Sequence, residues 1–208
     1  MMGVDVPLAD LTGKARIRHA ALHLFAARGY ERTSLRQIAH RAHVSLALIA
    51  HHFGCKQALR EAVDEHVLSC FTSAVAAEPP SRCDPAEATA LRLRVVERVL
   101  DASLVIRSYV RRSAGEDVRA GGTFFPALMG VLRRVLLESQ PGLGADETER
   151  LARQSFLLTF GPVILEPVMQ AMAMNGMEPR AGEAVAAAAA PAPRPDFGRA
   201  DALRRAHG

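Results

Sequence analysis

The side chains able to do chemistry crowd into the first quarter of the chain. Residues 1–56 carry eight cations (Lys14, Arg16, Arg18, Arg28, Arg32, Arg36, Arg41 and Lys56) against three acids (Asp5, Asp10 and Glu31). The remaining 18 basic and 19 acidic residues nearly cancel, so the formal net charge of +4 sits at one end. Such asymmetry suits a polyanion-binding module joined to a neutral one, although a solvated basic surface without a partner would carry the same charge. His19 and His23 stand four apart and share a helix face, half of a metal site. They lack the H-E-x-x-H pattern, and two polar residues on the outer face of a helix read equally well. His51 and His52 are adjacent and diverge around a helix, so they make a poor ligand pair. Cys55 beside Lys56 is a candidate reactive thiol, because a neighbouring cation lowers a thiol pKa. Neither G-x-S-x-G, nor a Walker motif, nor a nucleotide-binding glycine fingerprint occurs. These readings predict a binding protein and not an enzyme, with no cofactor and no metal.

The elements that must position these residues are helical. Ala, Leu and Arg dominate, and alternating runs of β-branched residues are hard to find, so the predicted class is all-α. A first helix is expected over 12–28, with Ile17, Ala21, Leu24 and Phe25 on one face and Gly29 as its C-cap. Ser34 and Gln37 have capping-box spacing and open a short helix ending near Ala42, with Leu35, Ile38, Ala39 and Ala42 inward. After His43-Val44, Ser45 caps a third short helix to about His52, which packs through Val44, Leu48, Ile49 and Phe53. Two short helices joined by a tight turn behind a longer one form a helix-turn-helix, the shape that enters a DNA major groove.

Beyond Gly54 a long helix is expected over 56–77, lined by Leu59, Ala62, Val63, Val67, Cys70, Phe71 and Ala74. Asp84-Pro85 starts a helical stretch to about Ser113, broken near Ser103. Gly121-Gly122 is a loop, followed by helices over 123–139 and 146–174. Asp146 is placed as the cap of the last, and Pro162 and Pro167 should kink or break it. Phe124, Phe125, Met129, Phe156, Phe160, Met169 and Met172 are core residues or line a pocket, since Met adapts to irregular ligands. The predicted division is a helix-turn-helix DNA-binding domain over 12–56, a helical domain over 57–177, and an Ala/Pro-rich disordered tail over 178–208. Cys55, Cys70 and Cys83 are odd in number and show no C-x-x-C pair, and no signal peptide or spanning apolar run is read, so a cytoplasmic protein without a membrane partner is expected.

The stretch RHAALHLFAARGYERTSLRQIAHRAHVSLALIAHHFGCKQAL resembles the DNA-binding domain of the tetracycline-repressor (TetR) family over about Lys14 to Val63. The resemblance rests on Ala21, Leu24-Phe25, Gly29-Tyr30, Thr33-Ser34, Ile38-Ala39, Ala42, Val44-Ser45, His52-Phe53, Lys56 and Leu59. It implies that Ser34 and Arg36 lie near phosphate or a base edge. Ser45, Leu46, Ala47, Ala50 and His51 would face the groove, His52 and Lys56 would hold phosphate, and Lys14 and Arg16 would reach DNA from the arm. Leu46 and Ala47 could pack on thymine methyls but cannot read guanine. Three departures stand out: His43 where the family often has Gly, Ala47 where it often has Gly or another small residue, and Ala50 where it usually has a phosphate-binding Tyr, a contact His51 could replace. The turn at His43 either avoids positive φ or is strained. The family further implies that 57–177 is an effector-binding and dimerisation domain, with a homodimer built from the last two helices, a palindromic operator in double-stranded DNA, and release by a small-molecule effector. A helical small-molecule-binding protein with a weakened helix-turn-helix, and a non-specific DNA binder, are the alternatives.

Overall fold

The computed structural model describes residues 12–78, 85–120 and 122–174. The expected arm at 1–11, Cys83, Asp84, Gly121 and the tail from 178 lie outside the described residues. The described secondary structure is eight helices: α1 (Gly13–Arg28), α2 (Leu35–Ala42), α3 (Leu46–Phe53), α4 (Lys56–Ala76), α5 (Pro85–Ala102), α6 (Leu104–Ala120), α7 (Phe124–Ser139) and α8 (Ala145–Met174). No strand occurs among the described residues. By its contacts the chain divides at Pro167/Val168. The second unit is described only as the end of α8.

Local chemistry sets the ends of the short helices. Thr12 caps α1 by accepting from the Ala15 N–H, and Gly29 follows its end at φ 86°. Ser34 and Gln37 form a complete capping box: Ser34 Oγ accepts from Gln37 N at 3.3 Å, and Gln37 Oε1 accepts from Ser34 N at 2.8 Å. Ser45 Oγ accepts from Leu48 N at 3.2 Å, and the Cys55 sulfur caps α4 by accepting from Ala58 N at 3.5 Å. Ser103 breaks the α5–α6 stretch as expected, its hydroxyl accepting from Ile106 N at 3.3 Å. From there α6 runs to Ala120, one to two turns past the expected end at Ser113.

His43 occupies the left-handed region, with φ 52° and ψ 50°. Its N–H donates to the His40 carbonyl and the Val44 N–H to the Ala39 carbonyl, a Schellman closure that requires this conformation. Arg16 adds Nη2 bonds of 2.7 and 2.8 Å to the Ala42 and His43 carbonyls, which fixes the turn from α1. Left-handed backbone costs an L-residue roughly 1–2 kcal/mol and glycine almost none. His43→Gly is therefore expected to stabilise the chain by about 0.5–1 kcal/mol after glycine's larger unfolded-state entropy is subtracted. Urea denaturation checks this, and a loss of stability would mean that the His43 ring makes a compensating contact.

Packing places α1 at the centre, against α2, α3, α4 and α6. Ile17, Ala20, Ala21 and Phe25 are buried on α1, with Ile38, Ala42 and Ile49 from the short helices beneath them. The core continues through Leu59, Val63, Val67 and Phe71 of α4 and Ile106, Tyr109 and Val110 of α6. An aromatic chain then links Tyr109, Phe124, Phe125, Phe156, Phe160 and Phe71, each neighbouring pair with ring centroids 5.4–5.8 Å apart. Two expectations at α8 need correction. The helix starts at Ala145, so Asp146 lies in its first turn and does not cap it. The break expected at Pro162 or Pro167 does not occur either: the helix continues through both, and both are exposed.

Candidate nucleic-acid interface

One face of α3 is open. Leu46, Ala47, Ala50 and His51 are exposed on it, whereas Ile49 is buried and Leu48, His52 and Phe53 are partly covered on the opposite side. This is the i, i+1, i+4, i+5 pattern of a helix resting on its neighbours along one stripe. Ser34 and Ser45 stand exposed at the N-termini of α2 and α3, and Arg36 is exposed in the first turn of α2. Capping uses an acceptor lone pair of each serine and leaves the hydroxyl proton to donate. Two helix N-termini, two hydroxyls and a guanidinium thus stand beside the open face of α3, an arrangement able to hold phosphate oxygens.

Lys56, at the start of α4, is fixed by an aromatic ring. Its Nζ lies 4.1 Å from the Tyr30 ring centroid, and the Tyr30 hydroxyl donates to Gln57 Oε1 at 3.2 Å. Lys14 is exposed, with its ammonium 5.8 Å from the Phe53 ring. His52 is half-buried, edge-on to Phe53, and its Nε2 lies beside the first turn of α1 near Gly13. The structure therefore groups Ser34, Arg36, Ser45, Leu46, Ala47, Ala50 and His51 as exposed positions and leaves His52 partly inside. Arg16 is engaged with the end of α2 through the Ala42 and His43 carbonyls.

The sequence reading missed the polar cluster behind this surface. Arg60 and Asp64 were passed over on the α4 face, yet both are buried. Arg60 donates through Nε to Asp64 at 3.1 Å, through Nη1 to Glu116 at 2.9 Å and through Nη2 to the Ser113 hydroxyl at 3.0 Å. The Tyr109 hydroxyl donates to Asp64 at 2.5 Å. Burial pulls the Arg60 pKa down, but Tyr109, Asp64 and Glu116 more than offset that and hold it above the ordinary arginine range. Burial, followed by the Asp64 charge, pushes the Tyr109 phenol well above its ordinary value. Glu116 also accepts the Tyr30 backbone N–H at 2.9 Å. Arg112 of α6 donates to the Ala26 and Ala27 carbonyls at 3.0 and 2.9 Å, closing the last turn of α1. Arg60 and Asp64 are four apart within the stripe of Leu59, Val63 and Val67, and that spacing was the available signal.

His19 and His23 are half-buried, not on an outer face, with their Nε2 atoms 3.3 Å apart. Among the described residues no group of three or more His, Cys, Asp or Glu could hold a metal ion. Cys55 and Cys70 are in no disulfide. Burial pushes the Cys70 thiol up. Among the described helices α8 alone is long and apolar enough to cross a membrane by length and composition.

Residues 17–63 match the family described as bacterial regulatory proteins, tetR family. The HTH-type transcriptional regulatory protein RaaS of Mycobacterium tuberculosis is 49% identical over 69 residues, 33% of this chain and 32% of that protein. The HTH-type transcriptional repressor Rv3405c of Mycobacterium tuberculosis is 37% identical over 87 residues, 42% of this chain and 40% of that protein. This chain thus spans about a third to two-fifths of the length of the curated relatives it matches. Among solved structures, a tetR-family transcriptional regulator from Streptomyces coelicolor aligns with TM-score 0.57 at 22% identity, over 74% of this chain and 69% of that one. GusR of Salmonella enterica aligns with TM-score 0.55 at 22% identity, over 78% and 85%. Both likenesses concern the fold.

Proposed function

We propose that this chain, whose N-terminal helices match the tetR family, is a ligand-responsive transcriptional repressor that acts as a homodimer on a palindromic operator in the cytoplasm. The observation that carries the DNA-binding reading is the open face of α3 beside the capped N-termini of α2 and α3. In this reading Ser45, Leu46, Ala47, Ala50 and His51 face the major groove, Ser34 and Arg36 lie at phosphate or a base edge, and His52 and Lys56 contact phosphates. Leu46 and Ala47 give apolar contacts suited to thymine methyls. The division at 12–56 and 57–177 separates DNA reading from sensing and dimerisation. A cavity of about 710 Å³ lined by Phe125, Pro126, Met129, Phe156 and Ile164, with Arg133 at its edge, supports an apolar effector site. Leu137 of α7 and Leu157, Leu158 and Leu165 of α8 are exposed apolar side chains, and a second copy of the chain covers them.

Selection from random double-stranded DNA at about 150 mM salt tests the reading, because a Debye length of roughly 8 Å suppresses loose electrostatic binding. Enrichment of a palindrome is expected, since two-fold protein symmetry demands it. Salt-sensitive bulk binding without enrichment would favour a non-specific binder. On the enriched site, Lys56→Ala is expected to weaken binding to all sequences alike and to lower the salt slope by about one. An unchanged slope would remove Lys56 from the phosphate contacts.

A further inference from the structure

We propose that the cavity at the seam between the α1–α2 turn, α4 and α6 is a second ligand site, which takes a small organic acid through its carboxylate. The cavity measures about 680 Å³, and it adjoins the apolar one between α6, α7 and α8 at Gly122 but has a different, charged lining. That volume lies in the usual range for a metabolite pocket.

Its lining is charged. Arg28, Arg32, Arg60 and Arg112 face it, against Glu31, Asp64 and Glu116. Arg60 is matched by Asp64 and Glu116, and Arg112 is engaged with the end of α1. Arg28 and Arg32 meet no carboxylate among the described residues, so the cavity keeps a positive excess with Glu31 as the remaining acid. Guanidinium forks bind carboxylates in a bidentate manner and hold them selectively at such a rim. Tyr30, Gln57 and Thr123 offer further hydroxyl and amide groups.

The carboxylate class is chosen because the wall already contains one in the required role. The Glu116 carboxylate bridges Arg60 Nη1 and the Tyr30 N–H, both at 2.9 Å, and remains partly exposed. An entering carboxylate can take over either donor. Bare backbone makes the room: a Cβ at Gly29 would stand 2.5 Å from Glu116 Oε1, whereas a Cβ at Gly115 would meet nothing within 4 Å. Tyr30 supports Lys56 on its ring, and Arg60 lies 5.6 Å from the same ring. Displacing Glu116 therefore shifts the ammonium assigned to DNA phosphate, a consequence that rests on the DNA-binding reading.

The full chain should be titrated calorimetrically with succinate and, at matched ionic strength, with inorganic phosphate and chloride. Saturable succinate binding is expected below about 10 mM. Arg32→Ala should weaken it roughly tenfold by removing one charge-assisted contact. Gly115→Leu should abolish it by filling the open wall, without lowering the melting temperature, because leucine is the better helix former. No saturable succinate binding, phosphate bound in its place, or succinate binding that ignores both substitutions overturns the assignment. DNA affinity with and without succinate is measured separately by anisotropy. A protein that binds succinate but no DNA contradicts the repressor reading and leaves the cavity assignment standing.

Discussion

Arg60→Met is expected to destabilise the chain by about 3–5 kcal/mol, which lowers the thermal midpoint by roughly 6–20 °C. The substitution keeps the aliphatic bulk and removes the charge that Asp64 and Glu116 share. Asp64 would then remain buried without the guanidinium that donates to it at 3.1 Å, while the Tyr109 hydroxyl still donates to it. A buried charge that loses its counter-ion forfeits the Coulombic gain and keeps the desolvation cost. Thermal and urea denaturation measure the effect, and a loss below about 1 kcal/mol would mean that water reaches the cluster and screens it. The same cluster imposes a pH dependence. Because the folded chain holds the Tyr109 phenol above its unfolded value, the folded state keeps a proton that the unfolded state releases above about pH 10. Stability from this group is fully present below that pH and is lost as pH rises through the higher folded value. Tyr109→Phe should flatten this alkaline limb.

The second large effect concerns assembly. If the proposed dimer forms through α7 and α8, Leu158→Glu with Leu165→Glu is expected to convert it to a monomer and to weaken binding to a palindromic probe by at least about 100-fold. The two leucines are 66% and 53% exposed and stand seven residues apart, on one face of α8. Carboxylates placed there would face their own symmetry copies across a two-fold axis, where like charges repel. The substitutions replace side chains that touch solvent in a single copy, so the monomer should keep its helix content. Sedimentation velocity decides: a species of unchanged size would move the dimer surface away from this face.

How much of this was legible in the sequence depended on separation along the chain. The caps at Ser34-Gln37, Ser45 and Gly29 involve partners three or four residues apart, so spacing alone identified them. His43 was marked as a residue in a position that favours glycine, and the left-handed turn is there. Arg16 was read as a DNA contact because its charge is visible in the sequence, whereas its acceptors at Ala42 and His43 lie 26 and 27 residues on. The Arg60 cluster was harder still, since its pairs between α4 and α6 are 45 to 56 residues apart and the partners of Tyr30 and Arg112 are 85 or 86 apart. Charged residues on a helix are ordinarily solvated, and only their position between Leu59, Val63 and Val67 argued otherwise. The candidate groove-facing set came from the family resemblance, and the fold adds that most of it is exposed on one side.

Arg112 and Glu116 have a consequence for moving the N-terminal helices into another chain. The last carbonyls of α1 and the first amide of the following turn find their partners on α6, outside the 12–56 segment. A graft of residues 12–56 alone would arrive with those groups unmet unless the recipient supplies a guanidinium and a carboxylate at the equivalent places. The transferable cassette is therefore discontinuous: the N-terminal helices together with Arg60 and the α6 turn from Arg112 to Glu116.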